Sequence, residues 1–432
     1  MSRLFHAHPV AVAAAVAACI WSSGRSATAQ ADPAGVVAVG PEIVVAADGP
    51  GGAVRGTPQV AFGGGAWLCA WREGWHGVDG RARIAVRRFT ADGQPLDPQA
   101  IEVAPNAGRD APQEAPRVAW AEDTFLVVWQ DFRSGKDYDV LAARVSADGK
   151  VLDTQPLVVA SGVDNQVLPD VASDGAGFLV VWQGYDPRDQ SFHGFAARVS
   201  RDGTVAPAVE TGVAPQPLVA WNGTSFLVAS ADVGLWKQAD VALLDAAGKP
   251  RGGKVEVARR VGLTSLAAAP GGGWLLATHR SSPDAWGWGG PGAIRVVHVT
   301  AEGQPDPAQP KEANRPTDKE LQPTWLDVNG AGRSYWPHGQ TAIVWDGRRW
   351  LVVWARFECV GEKKATLMGG DLVAMTVDGW KRTADVPTPL AGDAAAEVEP
   401  ALAADGDGRA LCIYEKRADG RTEIMARLLR SP

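Results

Sequence analysis

Apolar residues in this chain fall into short runs bounded by Gly, Asp, Asn and Pro, a pattern that favours many short strands over helices. The stretch FLVVWQDFRSGKDYDVLAARVSADG (125–149) is typical: an apolar run, a charged loop, a second mostly apolar run and a turn. Its first run recurs as WLCAW (67–71), FLVVW (178–182), SFLVAS (225–230), WLLATH (274–279), WLVVW (350–354) and ALCIY (410–414). Ahead of these runs lie short apolar segments, often led by proline, such as PQVAF (58–62), PRVAW (116–120), PDVAS (169–173), PLVAW (217–221) and PALAA (400–404). Gly-Gly-Gly, Asp-Gly or Asn-Gly separates most of the pairs. Such residues tolerate the positive φ of tight β-turns, so each pair predicts a hairpin.

A third strand follows, for example DVLAARV (139–145) or EIMARLL (423–429), then a turn such as SADG, then a fourth segment such as VLDTQPLVVA (151–160). The unit is therefore a four-stranded antiparallel meander. Its seven copies are spaced by 48 to 76 residues, and a four-stranded repeat near this length is the signature of a β-propeller blade. The last copy stops at MARLLRSP without a fourth strand, while GVVAVGPEIVVAADG (35–49) reads like one. The expected fold is all-β: a seven-bladed β-propeller over residues 30–432, its ring closed by an N-terminal strand that completes the last blade. Closure of this kind removes an exposed sheet edge.

The strand–loop–strand–DG pattern of Trp129 to Gly149 resembles that of bacterial secreted β-propeller repeat proteins of the TolB-like and WD40-like type. The resemblance covers nearly all of the chain after its first 29 residues, at the level of pattern. It implies a propeller, in families that include periplasmic scaffolds, lyases and peptidase-associated propellers, and it carries over no functional residue. The Ser-Pro-Asp-Gly turn usual in TolB-like repeats is missing here.

Composition agrees with a turn-rich β chain: 50 Gly, 30 Pro and 18 Trp in 432 residues. The net charge of −7 argues against nucleic-acid binding, which needs Lys and Arg to neutralise phosphates. The N-terminus carries Arg3, an apolar run from Val10 to Trp21 and then small residues, which predicts a signal peptide over residues 1–29. Val16-Ala17-Ala18-Cys19 also resembles a lipobox, so the alternative is a lipoprotein signal ending before Cys19. Both readings export the chain to the periplasm, the cell surface or the medium of a bacterium. No stretch reaches the roughly 20 apolar residues of a transmembrane helix. Cys69, Cys359 and Cys412 form neither a disulfide framework nor a C-x-x-C zinc pattern. Cys69 and Cys412 hold equivalent places in the first and last copies, where buried thiols pointing the same way are expected, and Cys359 is expected in a loop.

Loops on a rigid scaffold concentrate binding residues, and the expected loops between second and third strands include 183–193, 355–370 and 415–422. In QDFRSGKDY (130–138) the candidates are Asp131, Arg133 and Tyr138; in HRSSPDAWGWGGPG (279–292) they are His279, Arg280, Trp286 and Trp288. The longest spacing marks an insertion at about 311–339, which adds Trp336 and His338. Aromatic faces beside Asp, Arg and His suit a sugar. Trp71, Trp129, Trp182 and Trp354 instead recur in register and are expected to pack between blades. No H-E-x-x-H or G-x-S-x-G motif occurs. A metal site from His193, His279 and His338 is a weaker idea, as is a carboxylate pair drawn from Asp131, Asp186 and Asp327, and His298 reads as structural. The functional expectation is a monomeric ligand-binding or protein-interaction module, for an oligosaccharide or a protein partner, with no cofactor. The alternative is a carbohydrate-active hydrolase or lyase using the same loop face.

Overall fold

The computed structural model describes residues 37–47, 55–74, 82–104, 111–231, 238–259, 262–279, 294–308, 326–327, 341–360, 366–379, 381–384 and 386–432. The signal segment, Cys19 and all of the 311–339 insertion except Leu326 and Asp327 lie outside these residues. Every regular element among the described residues is a β-strand, as the run-and-turn pattern predicts. Among them no helix is long and apolar enough to cross a membrane.

Each repeat is an antiparallel meander in chain order. The first sheet comprises Arg55–Gly63, Ala66–Glu73, Arg83–Thr90 and Ile101–Glu102; the second, Gln113–Ala121, Thr124–Asp131, Asp139–Ser146 and Leu157–Ala160. The third has Gln166–Ser173, Gly177–Asp186, Ser191–Ser200 and Val209–Glu210; the fourth, Leu218–Trp221, Phe226–Ala231, Gln238–Leu244 and Val255–Arg259. The fifth has Gly262–Ala268, Trp274–His279, Ile294–Val299 and Leu326–Asp327. In the sixth, Thr341–Trp345, Trp350–Val360 and Thr366–Asp378 are followed by Lys381–Arg382 and Thr388–Pro389, both paired with the third strand. The seventh has Ala396–Ala404, Arg409–Ala418 and Arg421–Arg430, with Ala38–Ala46 laid antiparallel on the last. A single parallel bridge, Gly370 to Ala396, joins the sixth and seventh into one nine-stranded sheet. The N-terminal strand thus stands where the last repeat lacks one.

Neighbouring sheets pack face to face. First strands contact one another in chain order from the first sheet to the seventh, and the seventh sheet's first strand contacts that of the first. Between neighbours lie dry clusters. Trp71 packs among Leu411 and Ile413 of the seventh sheet, Trp129 against Leu68 and Val86 of the first, Trp182 against Leu126 and Val128 of the second, and Trp354 with Leu275 and Val296 of the fifth. These in-register tryptophans bury their rings between sheets. Cys69 and Cys412 are both buried free thiols in different clusters, consistent with side chains pointing the same way.

The recurrent proline has a geometric cause. Thr57-Pro58, Ala115-Pro116, Leu168-Pro169 and Glu399-Pro400 are two-residue bulges in the first strands, each facing a single residue of the second: Trp71, Trp129, Trp182 and Tyr414. A bulge leaves one residue outside the ladder, so proline's missing N–H costs nothing there. The residue before each proline has φ between 50° and 54°, a strained setting that the flanking ladder holds in place.

Arginines in the third strands tie sheet to sheet. Arg88 grips Asp97 of its own repeat (2.6 Å) and donates to the Ala147 carbonyl in the next repeat's turn (2.6 Å). Arg144 does the same with Asp153 (2.7 Å) and the Arg201 carbonyl (2.8 Å). The turn glycine answers two demands. Gly149 has φ of 86°, and a Cβ there would lie 2.5 Å from Arg88 Nε. In the fifth sheet His298 Nδ1 meets Asp306 at 2.9 Å, the structural role its strand position suggests.

Three expectations need correction. Segments 183–193, 355–370 and 415–422 are largely extended strand pairs rather than open loops. Cys359 therefore lies in a strand, opposite Leu367. Part of the insertion also belongs to the fifth sheet: Leu326 and Asp327 pair with Val296 and Arg295 as its fourth strand.

Candidate functional site

Asp131, Arg133 and Tyr138, the candidates of the second repeat's loop, are fully described, and they hold the scaffold together. Asp131 is fully buried. It accepts the indole N–H of Trp129 (2.8 Å), the amide of Arg133 (2.9 Å) and the Arg133 guanidinium (2.9 and 2.8 Å). Tyr138 donates its hydroxyl to Glu114 (3.1 Å), and its amide donates to the Asn165 side chain (3.0 Å). Burial, and then the Glu114 carboxylate, raise the Tyr138 phenol well above its ordinary value. Glu73 serves Trp71 (2.7 Å) and Arg55 (2.9 Å) in the same manner. The spacing Trp-x-Asp/Glu was visible in the sequence as an echo between repeats. His279 ends a strand of the fifth sheet opposite Gly262 and Ile294. The side chain of His279, and Arg280, Trp286, Trp288, Trp336 and His338, lie outside the described residues.

In the third sheet the echo changes. Trp182-x-Gly184 has no acid at the second position, and the indole N–H turns to Gln166 instead (2.9 Å). The acid appears two residues later as Asp186, at the end of a longer hairpin. Asp186 lies opposite Ser191, Gly184 opposite His193, and Phe195 is paired with Trp182 on one side and Glu210 on the other. Cross-strand partners share a face and strand residues alternate, so Asp186, Ser191, His193, Phe195 and Glu210 project from one face of the sheet. A Cβ at Gly184 would lie 2.7 Å from Gln166 Oε1 and 2.9 Å from the Phe195 ring, so only glycine fits there.

The polar groups of this face meet. His193 Nε2 lies 2.8 Å from Asp189 Oδ2 and 2.9 Å from Ser191 Oγ, while Nδ1 lies 2.9 Å from Glu210 Oε1. Hydrogen bonds to Glu210 and Asp189 raise the His193 pKa, Glu210 having the larger effect. Arg188, largely exposed, forks onto Asp186 and pulls its carboxyl down to about 2. Asp186, Asp189 and His193 each bring one ligand-capable atom within 4.8 Å of the others. The expected grouping of His193 with His279 and His338 is not what surrounds it among the described residues: Asp189, Ser191 and Glu210 do, and only the strand register brings them there.

Beside this hairpin, between the second and third sheets, lies a hollow of about 550 Å³. Val158 and Val163 of the second repeat form one wall, and Trp182, Tyr185, Asp186, Arg188 and Phe195 the other. The size falls in the usual range of small-ligand sites, roughly 300–1,000 Å³. Val158 and Val163, 55% and 77% exposed, make the rim apolar as well as charged.

A second space, about 270 Å³, is lined by the first strands of all the repeats, with Gln59, Arg117, Asp170, Leu218, Ser265, Thr341 and Glu399 among its walls. Asp170 pairs with Arg117 at 3.4 Å and accepts the Val219 amide at 2.9 Å. Burial raises its carboxyl pKa, against the pull of Arg117. Every charge here is committed to a neighbour or, for Glu399, also engaged.

No protein-family model matches the chain, and no curated protein matches it. Among solved structures it is similar to a protein of unknown function from Dyadobacter fermentans, at 13% identity and TM-score 0.49, over 92% of this chain and 99% of that one. It is also similar to Trypanosoma rangeli sialidase in complex with the inhibitor DANA, at 10% identity and TM-score 0.49, over 89% of this chain and 57% of the sialidase. Pyrococcus horikoshii acylaminoacyl peptidase aligns at 10% identity and TM-score 0.48, over 87% of this chain and 52% of the peptidase. The chain thus spans little more than half the length of the sialidase and the peptidase.

Proposed function

We propose that the chain is an exported, monomeric seven-bladed β-propeller that acts as a binding module, with an oligosaccharide seated in the hollow between its second and third sheets. Support for seven blades in a ring comes from the seven repeats, the packing of the seventh sheet's first strand on that of the first, and the pairing of Ala38–Ala46 with Arg421–Arg430. Support for export comes from the signal-like segment 1–29 or, alternatively, from lipidation at Cys19.

One observation carries the ligand reading: the hollow is lined by Tyr185 and Phe195 together with Asp186 and Arg188. Sugar rings present C–H faces that stack on aromatics and hydroxyls that take charged hydrogen bonds, so this wall chemistry matches a glycan. Binding is favoured over hydrolysis because Asp131 and Asp186, candidates for a carboxylate pair, are each forked by the arginine two residues further on. A hydrolase needs one such acid free to hold a proton near neutral pH.

A calorimetric screen of the full chain against neutral and acidic oligosaccharides tests this. Saturable binding that is weakened at least tenfold by Tyr185→Ala and by Arg188→Ala supports the reading. Failure of every glycan to bind, or binding indifferent to both substitutions, removes it. Palmitate labelling of an expressing bacterium, with Cys19→Ala as control, separates lipidation from simple cleavage.

A further inference from the structure

We propose that the Asp186–Asp189–His193 cluster at the tip of the third sheet's long hairpin is a binding site for a first-row divalent cation of the Zn2+ type, with Glu210 as the residue that orients the histidine. The two aspartates and the histidine are brought together by the register of one hairpin, and each offers a ligand-capable atom within 4.8 Å of the others. Ligands on a tetrahedral Zn2+ sit at about 2.0–2.1 Å, which puts their donor atoms roughly 3.3 Å apart. Nε2 of His193 and Oδ2 of Asp189, now 2.8 Å apart, would need only a small spreading to admit an ion. Ser191 Oγ, 2.9 Å from the same nitrogen, adds an oxygen at the edge of the site.

The second observation concerns the other side of the ring. Glu210 comes from a different strand and touches Nδ1 at 2.9 Å, while Asp189 meets Nε2 at 2.8 Å. A carboxylate on one ring nitrogen fixes the proton there and turns the lone pair of the other outward, which is the arrangement that orients metal-ligating histidines. An imidazole with two carboxylates suits zinc-like ions better than calcium, whose sites are built from oxygens alone. The set carries three carboxylates against one histidine, and the cation paired with it among the described residues, Arg188 on Asp186, has its side chain 88% exposed and can swing into solvent.

The proposal is independent of the glycan reading, since a cation titration needs no sugar. Tag-free full chain, stripped with chelator, is titrated calorimetrically with Zn2+. The expected result is one equivalent bound, with affinity lost at least tenfold in Asp189→Asn and in His193→Gln. Glu210→Gln should weaken binding by roughly tenfold, the usual effect of removing an orienting partner. Asp148→Asn, in an exposed turn of the second repeat, should bind as the parent does. Melting curves for each variant establish that it is folded, and a Co2+ titration read by its visible absorption supplies a second measurement on any variant of lowered stability. No saturable binding, or binding by several equivalents that these substitutions do not change, overturns the proposal.

Discussion

The indole N–H of Trp129 reaches the carboxylate of Asp131 at 2.8 Å, two residues further along the same strand, and both side chains are fully buried. That carboxylate also satisfies the amide and guanidinium of Arg133. Its removal strands a buried indole donor and a half-buried cation together. Breaking a buried pair from one side typically costs about 3–5 kcal/mol. Asp131→Ala should therefore lower the urea midpoint by an amount corresponding to roughly 3 kcal/mol, and Asp131→Asn, which keeps one acceptor, by clearly less. Equal losses would show that charge and hydrogen bonding at this position are irrelevant.

Arg144 joins its own repeat to the next through Asp153 and the Arg201 carbonyl. Lysine cannot fork across a carboxylate and reach a carbonyl at once. Arg144→Lys should cost about 1–2 kcal/mol in equilibrium unfolding, near the value of one charge-assisted hydrogen bond, and Arg144→Ala should cost more. A neutral Arg144→Lys would refute the staple.

Gly194 has an ordinary strand conformation, yet a Cβ there would come within 1.8 Å of the Val213 carbonyl oxygen. A backbone atom cannot swing aside as a side-chain tip can, so the segment after the fourth strand must move. Gly194→Ala is expected to destabilise by roughly 1–3 kcal/mol, the usual range for overpacking. A melting temperature equal to the parent's would contradict the close approach.

Glu397 is buried, and its carboxyl is pushed up to about 8 by burial first and the nearby Asp393 carboxylate second. In the unfolded chain the same group ionises at its ordinary value of 4.5. Between these values the folded state holds a proton that the unfolded state has lost, so this group makes stability fall as pH rises. Its full penalty is reached above pH 8, and it vanishes below 4.5. Glu397→Gln should remove the decline, so the variant's advantage in melting temperature should grow from acid pH to pH 9. A constant difference across that range would argue against a protonated carboxyl.

Cys69 and Cys412 have no exposed surface, and burial raises both thiols far above their ordinary value. A thiol that neither ionises nor meets solvent reacts slowly. Alkylation mapped by mass spectrometry should leave both unmodified in the native protein and label both after denaturation. Native labelling at either position would place it at the surface.

Much of the architecture is legible in the chain. FLVVW and DVLAARV are adjacent strands because β-branched and aromatic runs bounded by turns have few other ways to satisfy their backbone. Trp71, Trp129, Trp182 and Trp354 repeat in step because each fills the gap to the preceding sheet. The strand ends were less legible. Charged segments such as 183–193 read as loops, yet continue as paired strands, since ladder hydrogen bonds form whatever the side chains are. Composition reveals Asp131 as an acid, and only packing reveals that Trp129 and Arg133 engage it.

The order of strands, the turns and the in-register tryptophans follow from sequence alone, because they depend on neighbours a few residues away and on a repeat that states the pattern several times. The site does not. Asp186, Asp189, His193 and Glu210 span 25 residues and three strands. They meet because this hairpin runs two residues further past its tryptophan than those of the first two sheets, and a two-residue fourth strand brings Glu210 opposite Phe195. Register is a cooperative property of the whole sheet, and a shift of one residue would turn each of these side chains to the other face.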